Sequence, residues 1–114
     1  LDGASILTAR PTMDPLNWPG GVPQVDRRFR SSLAYRLSLV AEGRFDAMVT
    51  LRDSWEWDIA AGCLIAAEAG AGVSDRNGAR MTFNSPSGQT EGALCATSAL
   101  HPQFLERLLG QAAP

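Results

Sequence analysis

A chain of 114 residues, 45% of them hydrophobic, is long enough for one small domain with its own core. Its net charge of −2 argues against a protein that binds nucleic-acid polymers through a general basic surface. The longest run of apolar residues and glycine spans only residues 59–67, which is too short to cross a bilayer, so we expect no membrane partner.

The first thirty residues combine a short strand with a long segment rich in proline and glycine. A turn at Asp2-Gly3 precedes a strand predicted over residues 4–9. Residues 10–30 contain four prolines and Gly20-Gly21, so we expect an irregular loop, either a binding loop or a disordered flap. The chain begins at Leu1 without a methionine, and we expect it to be part of a longer protein.

A basic cluster precedes the next predicted helix. Arg27, Arg28 and Arg30 lead through Ser32 into a helix predicted over residues 33–41, with Gly43 after its end. Free backbone N–H groups at a helix start, together with arginines, can hold an oxyanion. A solvated basic turn explains the same residues, and the sequence leaves both interpretations open.

A strand predicted over residues 45–51 is followed by an almost wholly apolar helix over residues 55–69. Ser54 is the predicted N-cap, and Gly70 is the predicted left-handed residue after the last turn. Because every residue from 59 to 67 is apolar or glycine, we expect this helix to be buried on most sides.

Asp58 is the candidate functional residue of this helix. The helix dipole favours an acidic residue in a first turn, and this alone accounts for an aspartate at position 58 without any function. It is also a carboxylate between Trp57 and Ile59, where it is hard to keep solvated and needs a partner such as Mg²⁺, a cation that takes oxygen ligands. One acid does not make a metal site, so both interpretations remain.

The remaining sequence predicts an α/β fold. Strands are expected over residues 71–75 and 92–97, a tight turn at 75–78, a loop at 81–89 and a last helix from Pro102. This alternation predicts a mixed or mainly parallel sheet covered by helices. Cys63 and Cys95 are expected to be core thiols of a cytoplasmic protein, and His101 to stand at the start of the last helix without a catalytic role.

Two motifs carry a resemblance to a known family. The segment from Trp57-Asp58-Ile59 to Gly62, followed by Glu68-Ala69-Gly70, resembles the C-terminal signature of the inositol monophosphatase family of metal-dependent phosphomonoesterases. The phrase from Leu39 to Gly43, followed by Asp46, is more similar to its bacterial 3′(2′),5′-bisphosphate nucleotidase branch. The resemblance covers residues 31–114 and implies one domain over residues 1–114, the C-terminal half of that fold.

The resemblance implies a set of site residues. Asp58 would bind Mg²⁺ and substrate, and Ser32, Arg30 and Arg36 would contact the substrate at the preceding helix. The other metal ligands would belong to the N-terminal half of the same enzyme, and a homodimer is compatible with the family. Leu51 stands where inositol phosphatases carry a glutamate that binds the sugar ring, which weakens inositol phosphate as substrate.

Three functions follow from these observations. The first is a Mg²⁺-dependent phosphatase of a small phosphorylated metabolite, closest to a 3′(2′),5′-bisphosphate nucleotidase, with inositol 1-phosphate as the alternative substrate. The second is a non-catalytic fragment or assembly module, because Asp58 is the single expected ligand in this chain. The third, dinucleotide binding, is disfavoured because Gly70-Ala71-Gly72 ends a helix and begins a strand, the reverse of a phosphate-binding glycine loop.

Overall fold

The computed structural model describes residues 1–29, 36, 39, 40, 42–51, 54–79 and 89–110, and for residues 54–59, 89 and 90 it describes the backbone alone. The described elements are β1 (Ser5–Leu7), β2 (Asp26–Arg28), β3 (Ala47–Thr50), β4 (Ser54–Trp55), α1 (Glu56–Glu68), β5 (Gly72–Ser74), β6 (Gln89–Thr90), β7 (Ala93–Ala96) and α2 (His101–Leu109). Residues 36, 39 and 40 are also helical.

Five strands form a mixed sheet in the order β2-β1-β3-β7-β5, and β4 pairs with β6 separately. β1 is parallel to both β2 and β3, whereas β7 is antiparallel to β3 and β5. β3 and β5 therefore run in the same direction on either side of β7. This confirms the α/β fold with a mixed sheet that the alternation of elements predicts.

The sheet separates two hydrophobic cores because successive residues of a strand point to opposite faces. On one face Met48 of β3 packs with Leu39, Cys63 and Cys95. On the other face Val49 belongs to a cluster with Ile6, Trp18, Leu94, Phe104 and Leu108. Helix α1 thus covers the first face and α2 covers the second.

The segment rich in proline is more ordered than an irregular loop. It forms 3-10 helices at Arg10–Met13 and Pro15–Asn17, and its end becomes the edge strand β2. The indole Nε1 of Trp18 donates a hydrogen bond to the Thr12 carbonyl at 2.8 Å, and its ring lies 6.4 Å from that of Phe104. The expected loop is therefore corrected for residues 10–29, because a buried tryptophan anchors it to α2.

A glycine makes this anchoring possible. The Gly20 N–H donates to the Arg107 carbonyl at 2.8 Å, which joins the segment to the last turn of α2. A Cβ atom at position 20 would stand 2.6 Å from the Glu106 carbonyl oxygen, closer than any side chain can approach. Only glycine permits this contact without displacing the helix.

Helix α1 departs from the sequence-based expectation at its start and along one face. Ser54 lies in β4, one residue too early to be the N-cap of a helix that begins at Glu56. Leu64 is 63% exposed and Ile65 is 53% exposed, so burial on most sides is wrong for this part of the helix. Among the residues of α1 whose burial is described, from 60 to 68, the buried ones are Gly62, Cys63 and Ala66, which face the sheet.

Other local predictions are confirmed at the ends of elements. Gly70 has a φ of 94°, and Gly78 closes its turn by donating to the Asp75 carbonyl at 3.2 Å. Asp46 ties the sheet together: its carboxylate accepts from the Ser5 N–H at 2.8 Å, and its carbonyl accepts from the Thr97 N–H. Most of the helix predicted over residues 33–41 and of the loop over residues 81–89 lies outside the described residues. None of the described helices is both long enough and apolar enough to span a bilayer.

His101, the single histidine of the sequence, is the first residue of α2 and packs against β5. Its Nε2 lies 2.8 Å from the hydroxyl oxygen of the buried Ser74, and that hydroxyl donates to the Asp75 carbonyl at 2.8 Å. The one hydroxyl proton is thereby used, so we infer that Nε2 donates to Ser74. Burial lowers the pKa of His101, and the positive end of the helix dipole also disfavours the imidazolium ion.

We expect His101 to make stability depend on pH between pH 7.5 and 5.5. The folded protein binds fewer protons than the unfolded chain once the pH approaches the ordinary histidine pKa of about 6.5, so the free energy of unfolding falls as the pH falls. His101→Gln keeps an amide donor and removes the titration, and should flatten this dependence. Urea unfolding of both proteins at pH 7.5 and pH 5.5 measures the free energy of unfolding. If this free energy changed equally with pH in both proteins, the pH dependence would not come from His101.

Candidate active site

The carboxyl ends of four parallel strands meet at one edge of the sheet, here called the carboxyl edge. β1, β2, β3 and β5 all run toward it, and Thr8, Phe29, Leu51 and Asp75 directly follow these strands. Open α/β sheets hold their ligands at this edge, because loops and helix starts converge there.

Asp58 lies in the first turn of α1, as the sequence predicts, because it is the third residue of a helix that begins at Glu56. The helix leads from β3 to the parallel strand β5, so it starts at the carboxyl edge and ends at the opposite one. Its positive dipole end, with N–H groups that lack partners within the helix, is thus at the carboxyl edge. The side chain of Asp58 is outside the described part, and its role as a ligand stays a prediction.

Arg36 has an unusual environment for a cation. The residue is only 8% exposed, and its guanidinium lies 4.9 Å from the centre of the Phe29 ring. Its Nε atom is buried and has no hydrogen-bond partner among the described residues, and burial lowers the pKa of the guanidinium. Because Phe29 follows β2, this contact places the Arg36 guanidinium at the carboxyl edge. An anion bound there would satisfy a polar atom whose burial is otherwise costly.

The other arginines of the basic cluster are partly engaged with the chain. Arg27 donates to the Thr8 carbonyl at 3.4 Å, and the Arg28 guanidinium faces the Asp26 carboxylate at 3.3 Å. These contacts reduce the positive charge that they offer to a ligand. Arg30 and Ser32, the remaining residues expected to contact substrate, lie outside the described residues.

Leu51 lines a cavity at the carboxyl edge, on the face of the sheet that α2 covers. The cavity has a volume of about 280 Å³. Its apolar walls come from the ordered segment rich in proline, from the end of β3 and from the end of α2, and they comprise Leu16, Pro19, Leu51, Leu108 and Leu109. Three polar residues complete the lining: Asn17, at the end of the second 3-10 helix, and Arg76 and Asn77, in the turn after β5.

The sequence alone did not single out Phe29, Arg76 or Asn77 as residues of this edge. Asp75 to Gly78 has the signature of a tight turn, which accounts for Asn77 without a ligand. The sequence indicates the position of these turn residues only when two predictions are combined. Asp75 to Gly78 is predicted to form a turn, and a turn that follows a parallel strand lies at the carboxyl edge. The contact between Phe29 and Arg36 depends on tertiary packing and has no local signature.

The two cysteines and the histidine do not contribute to this site. Burial raises the pKa of Cys63 to about 11 and that of Cys95 to about 12, so both thiols stay protonated and unreactive at neutral pH. Both are free thiols in the core, as expected. His101 belongs to the start of α2, and its ring is engaged with Ser74 rather than with a candidate nucleophile.

A metal ion would find an incomplete set of ligands here. Among the residues whose side chains are described, no three histidine, cysteine, aspartate or glutamate residues are grouped so as to hold a metal. Mg²⁺ prefers about six oxygen ligands and takes carboxylates together with water and phosphate oxygens. Asp58 suits that preference chemically, and its role as a ligand stays a prediction because its side chain is not among those described.

Comparison with known proteins gives a consistent result. The model of the inositol monophosphatase family matches residues 12–112. A bifunctional NADP phosphatase/NAD kinase of Methanococcus maripaludis is 33% identical over 86 residues, which cover 70% of this chain and 15% of that protein.

Solved structures support the same fold. SaIMPase-II, from Staphylococcus aureus, matches in its complex with inositol monophosphate at a TM-score of 0.74 and 20% identity, over 96% of this chain and 43% of that one. Its complex with 2′AMP matches at 0.74 and 22% identity, over 96% and 42%. The chain thus spans less than half the length of these structures. With the family model matching nearly the whole sequence, we conclude that the chain belongs to the inositol monophosphatase family.

Proposed function

We propose that this protein is a Mg²⁺-dependent phosphomonoesterase that acts on a small phosphorylated metabolite, closest to a 3′(2′),5′-bisphosphate nucleotide. The observation that carries the proposal is the family match over residues 12–112, which includes Asp58 in the first turn of a helix starting at the carboxyl edge. Phosphoryl transfer requires positive charge around the reacting phosphate, and that edge supplies a helix dipole and a buried arginine.

In this proposal Asp58 is a metal ligand and also lies beside the substrate. Bound Mg²⁺ in phosphatases lowers the pKa of a water molecule and stabilises the charge that develops on the leaving oxygen. The residues of this chain bind and orient: the start of α1 attracts the negatively charged phosphate, and Arg30, Ser32 and Arg36 surround the substrate from the preceding helix. Ligands other than Asp58 would come from the N-terminal half of the same fold.

The exposed face of α1 supports the proposal that an N-terminal half of the enzyme packs against this chain. Leu64 and Ile65 are large apolar side chains that lie open to solvent on an otherwise apolar helix, and such a surface is typical of a protein interface. The solved relatives have chains more than twice as long. We propose that the N-terminal half of the enzyme packs on this face; a homodimer of this chain is the alternative occupant.

The nucleotide substrate is supported by the surroundings of Arg36 and by two relatives. A guanidinium with a buried, unpartnered Nε can hold a second phosphate by a charge-assisted hydrogen bond. SaIMPase-II was solved with 2′AMP, and the Methanococcus maripaludis relative is named as an NADP phosphatase. The alternative, inositol 1-phosphate, is favoured by the SaIMPase-II complex with inositol monophosphate and disfavoured by Leu51, which cannot accept a hydrogen bond from a sugar hydroxyl.

We expect the isolated 114-residue chain to release no phosphate in the presence of Mg²⁺. A single carboxylate cannot hold Mg²⁺ in the geometry that hydrolysis needs. Release of inorganic phosphate from adenosine 3′,5′-bisphosphate measures the activity. Robust release that is abolished by EDTA would show that this chain carries a complete site, and would contradict the assignment of the other ligands to another half.

Asp58→Asn in the full-length enzyme should remove most of the turnover while the melting temperature changes little. The substitution keeps the shape of the side chain and deletes the charge that holds the metal. Glu68→Gln, at the other end of the same helix, is the matched control and should keep the activity of the unmodified enzyme. If the kcat of Asp58→Asn stays within about threefold of the unmodified enzyme's kcat, the loss of transition-state stabilisation is less than about 1 kcal/mol. Asp58 would then serve only as an acid that interacts with the helix dipole.

Arg36→Ala should lower kcat/KM for adenosine 3′,5′-bisphosphate more than for inositol 1-phosphate, because only the first substrate carries a second phosphate. The unmodified enzyme should prefer the bisphosphate. Arg44→Ala is the control, since Arg44 is exposed and paired with Glu42 in the turn that follows the helical residues 36, 39 and 40. An equal loss for both substrates would make Arg36 a structural residue, and a preference for inositol 1-phosphate would support the alternative substrate.

A further inference from the structure

The chain leaves the five-stranded sheet at Leu51, and a side chain holds the carbonyl group of this residue. In the described sheet, β3 pairs with β7 as far as Thr50 and with β1 as far as Met48, so Leu51 lies beyond the last pair on both sides. Its carbonyl oxygen accepts a hydrogen bond from the Nη1 atom of Arg76 at 2.6 Å. A bond with one charged partner is stronger than a neutral one. Arg76 therefore extends the support of the sheet one residue beyond β3.

Arg76 is itself fixed by the turn that follows β5. The Asp75 carboxylate accepts from the backbone N–H groups of Asn77 and Ala79, both at 2.9 Å, which closes the turn. The Arg76 N–H donates to the Glu91 carbonyl at 3.0 Å, and the Asn77 side-chain amide donates to the Glu91 carboxylate at 2.7 Å. The turn is thus bound to Glu91 twice, once through its backbone and once through a side chain.

A glycine lets this turn approach the end of β3. A Cβ atom at position 92 would stand 2.6 Å from the Thr50 carbonyl oxygen and 3.2 Å from the Arg76 Cβ atom. Gly92 also has a φ of 70°, a conformation that other residues rarely adopt. Glycine at this position therefore allows the stem of Arg76 to lie beside the end of the strand, from where its guanidinium reaches the Leu51 carbonyl.

The same region holds the other end of the connection between β3 and α1. The last two residues before α1 form β4, which pairs with β6 in antiparallel orientation. Glu91 directly follows β6, so the residue that anchors the turn of Arg76 also continues the strand that anchors β4. Both ends of the connection are therefore held by groups that meet at Glu91.

We propose that Arg76 is a positioning residue for Asp58. Asp58 is the third residue of α1 and follows Leu51 by seven positions, so the placement of its backbone depends on how the connection leaves the sheet. Misplacing a catalytic group by about 1 Å can lower a rate about a hundredfold, so an exposed bond at the base of this connection can matter for turnover. The inference rests on the proposed phosphatase function, which gives Asp58 its purpose, but its structural part is tested without hydrolysis.

Amide hydrogen exchange of the full-length protein, followed by NMR without Mg²⁺, tests the structural part. Arg76→Met keeps the stem of the side chain and removes the donor. The amides of Ala60 and Ala61, which bond to carbonyls of the first turn of α1, should exchange about fivefold faster. The amide of Phe104, which donates to the Leu100 carbonyl at the start of α2, should exchange at an unchanged rate. Because Arg76 is exposed, the melting temperature should fall by less than about 4 °C.

Turnover tests the positioning itself, with whichever of adenosine 3′,5′-bisphosphate and inositol 1-phosphate the unmodified enzyme prefers. Arg76→Met should lower kcat about tenfold or more and change KM by less than about twofold, because only the placement of Asp58 changes. Arg76→Lys keeps a charged donor and should restore most of kcat and of the protection at Ala60. Arg107→Met is the matched control and should change neither quantity. Arg107 is also an exposed arginine whose Nη1 donates to a loop carbonyl, that of Gly21 at 3.3 Å.

Four results would overturn the proposal. They are unchanged exchange at Ala60 and Ala61 in Arg76→Met, faster exchange throughout the protein with a larger fall in melting temperature, faster local exchange with unchanged kcat, and a lysine variant that behaves like the methionine variant. The last result counts because a single hydrogen bond does not require the fork of a guanidinium.

The proposed phosphatase function fails separately. If the unmodified full-length protein hydrolyses no phosphate ester, the phosphatase assignment is wrong, and the exchange rates alone decide whether Arg76 fixes the start of α1. If the protein hydrolyses a phosphate ester and Arg76→Met matches it in both exchange and kcat, the phosphatase assignment stands and the positioning role of Arg76 is wrong.

Discussion

The structure depends on β3, which is hydrogen-bonded on both sides and buried on both faces. All four of its residues are buried, and it pairs with β1 in parallel and with β7 in antiparallel orientation. Met48 joins the core under α1, while Ala47 and Val49 join the core under α2. A polar residue in place of Met48 or Val49 would remove apolar burial from the middle of the sheet and would need a hydrogen-bond partner inside a core.

The direction of β3 determines where function can reside. Because β1, β2 and β5 share its direction, the residues that follow these strands meet at the carboxyl edge, and the helix after β3 starts there. Asp58, Arg36 and the cavity beside Leu51 come from separate segments of the chain, and the sheet alone brings them to one edge. Chemistry at this edge is thus a consequence of strand order rather than of any single motif.

The sequence predicted β1, β3, β5 and β7, the two described helices and the position of Asp58, because strand patterning, apolar periodicity and glycine punctuation are local properties. It did not predict the short strands β2, β4 and β6. It did not predict the anchoring of the segment rich in proline, since this depends on Trp18 meeting Phe104 and on Gly20 meeting the end of α2. It also missed the cavity, whose walls come from three distant segments. The family motif indicated Asp58 and Arg36, but only tertiary structure shows that Arg36 is buried beside Phe29.

The error about α1 is the most informative one. An apolar sequence from residue 59 to 67 predicts burial on most sides, yet within the described positions 60–67 the chain buries Gly62, Cys63 and Ala66 and leaves Leu64 and Ile65 exposed. The same helix carries Asp58 in its first turn, and the role proposed for Asp58 requires further metal ligands. One helix therefore leaves apolar side chains exposed along its side and, in the proposed function, needs further oxygen ligands at its start. A partner that covers Leu64 and Ile65 while placing carboxylates near the first turn would meet both requirements at once, which is the geometry we propose for the N-terminal half of the enzyme.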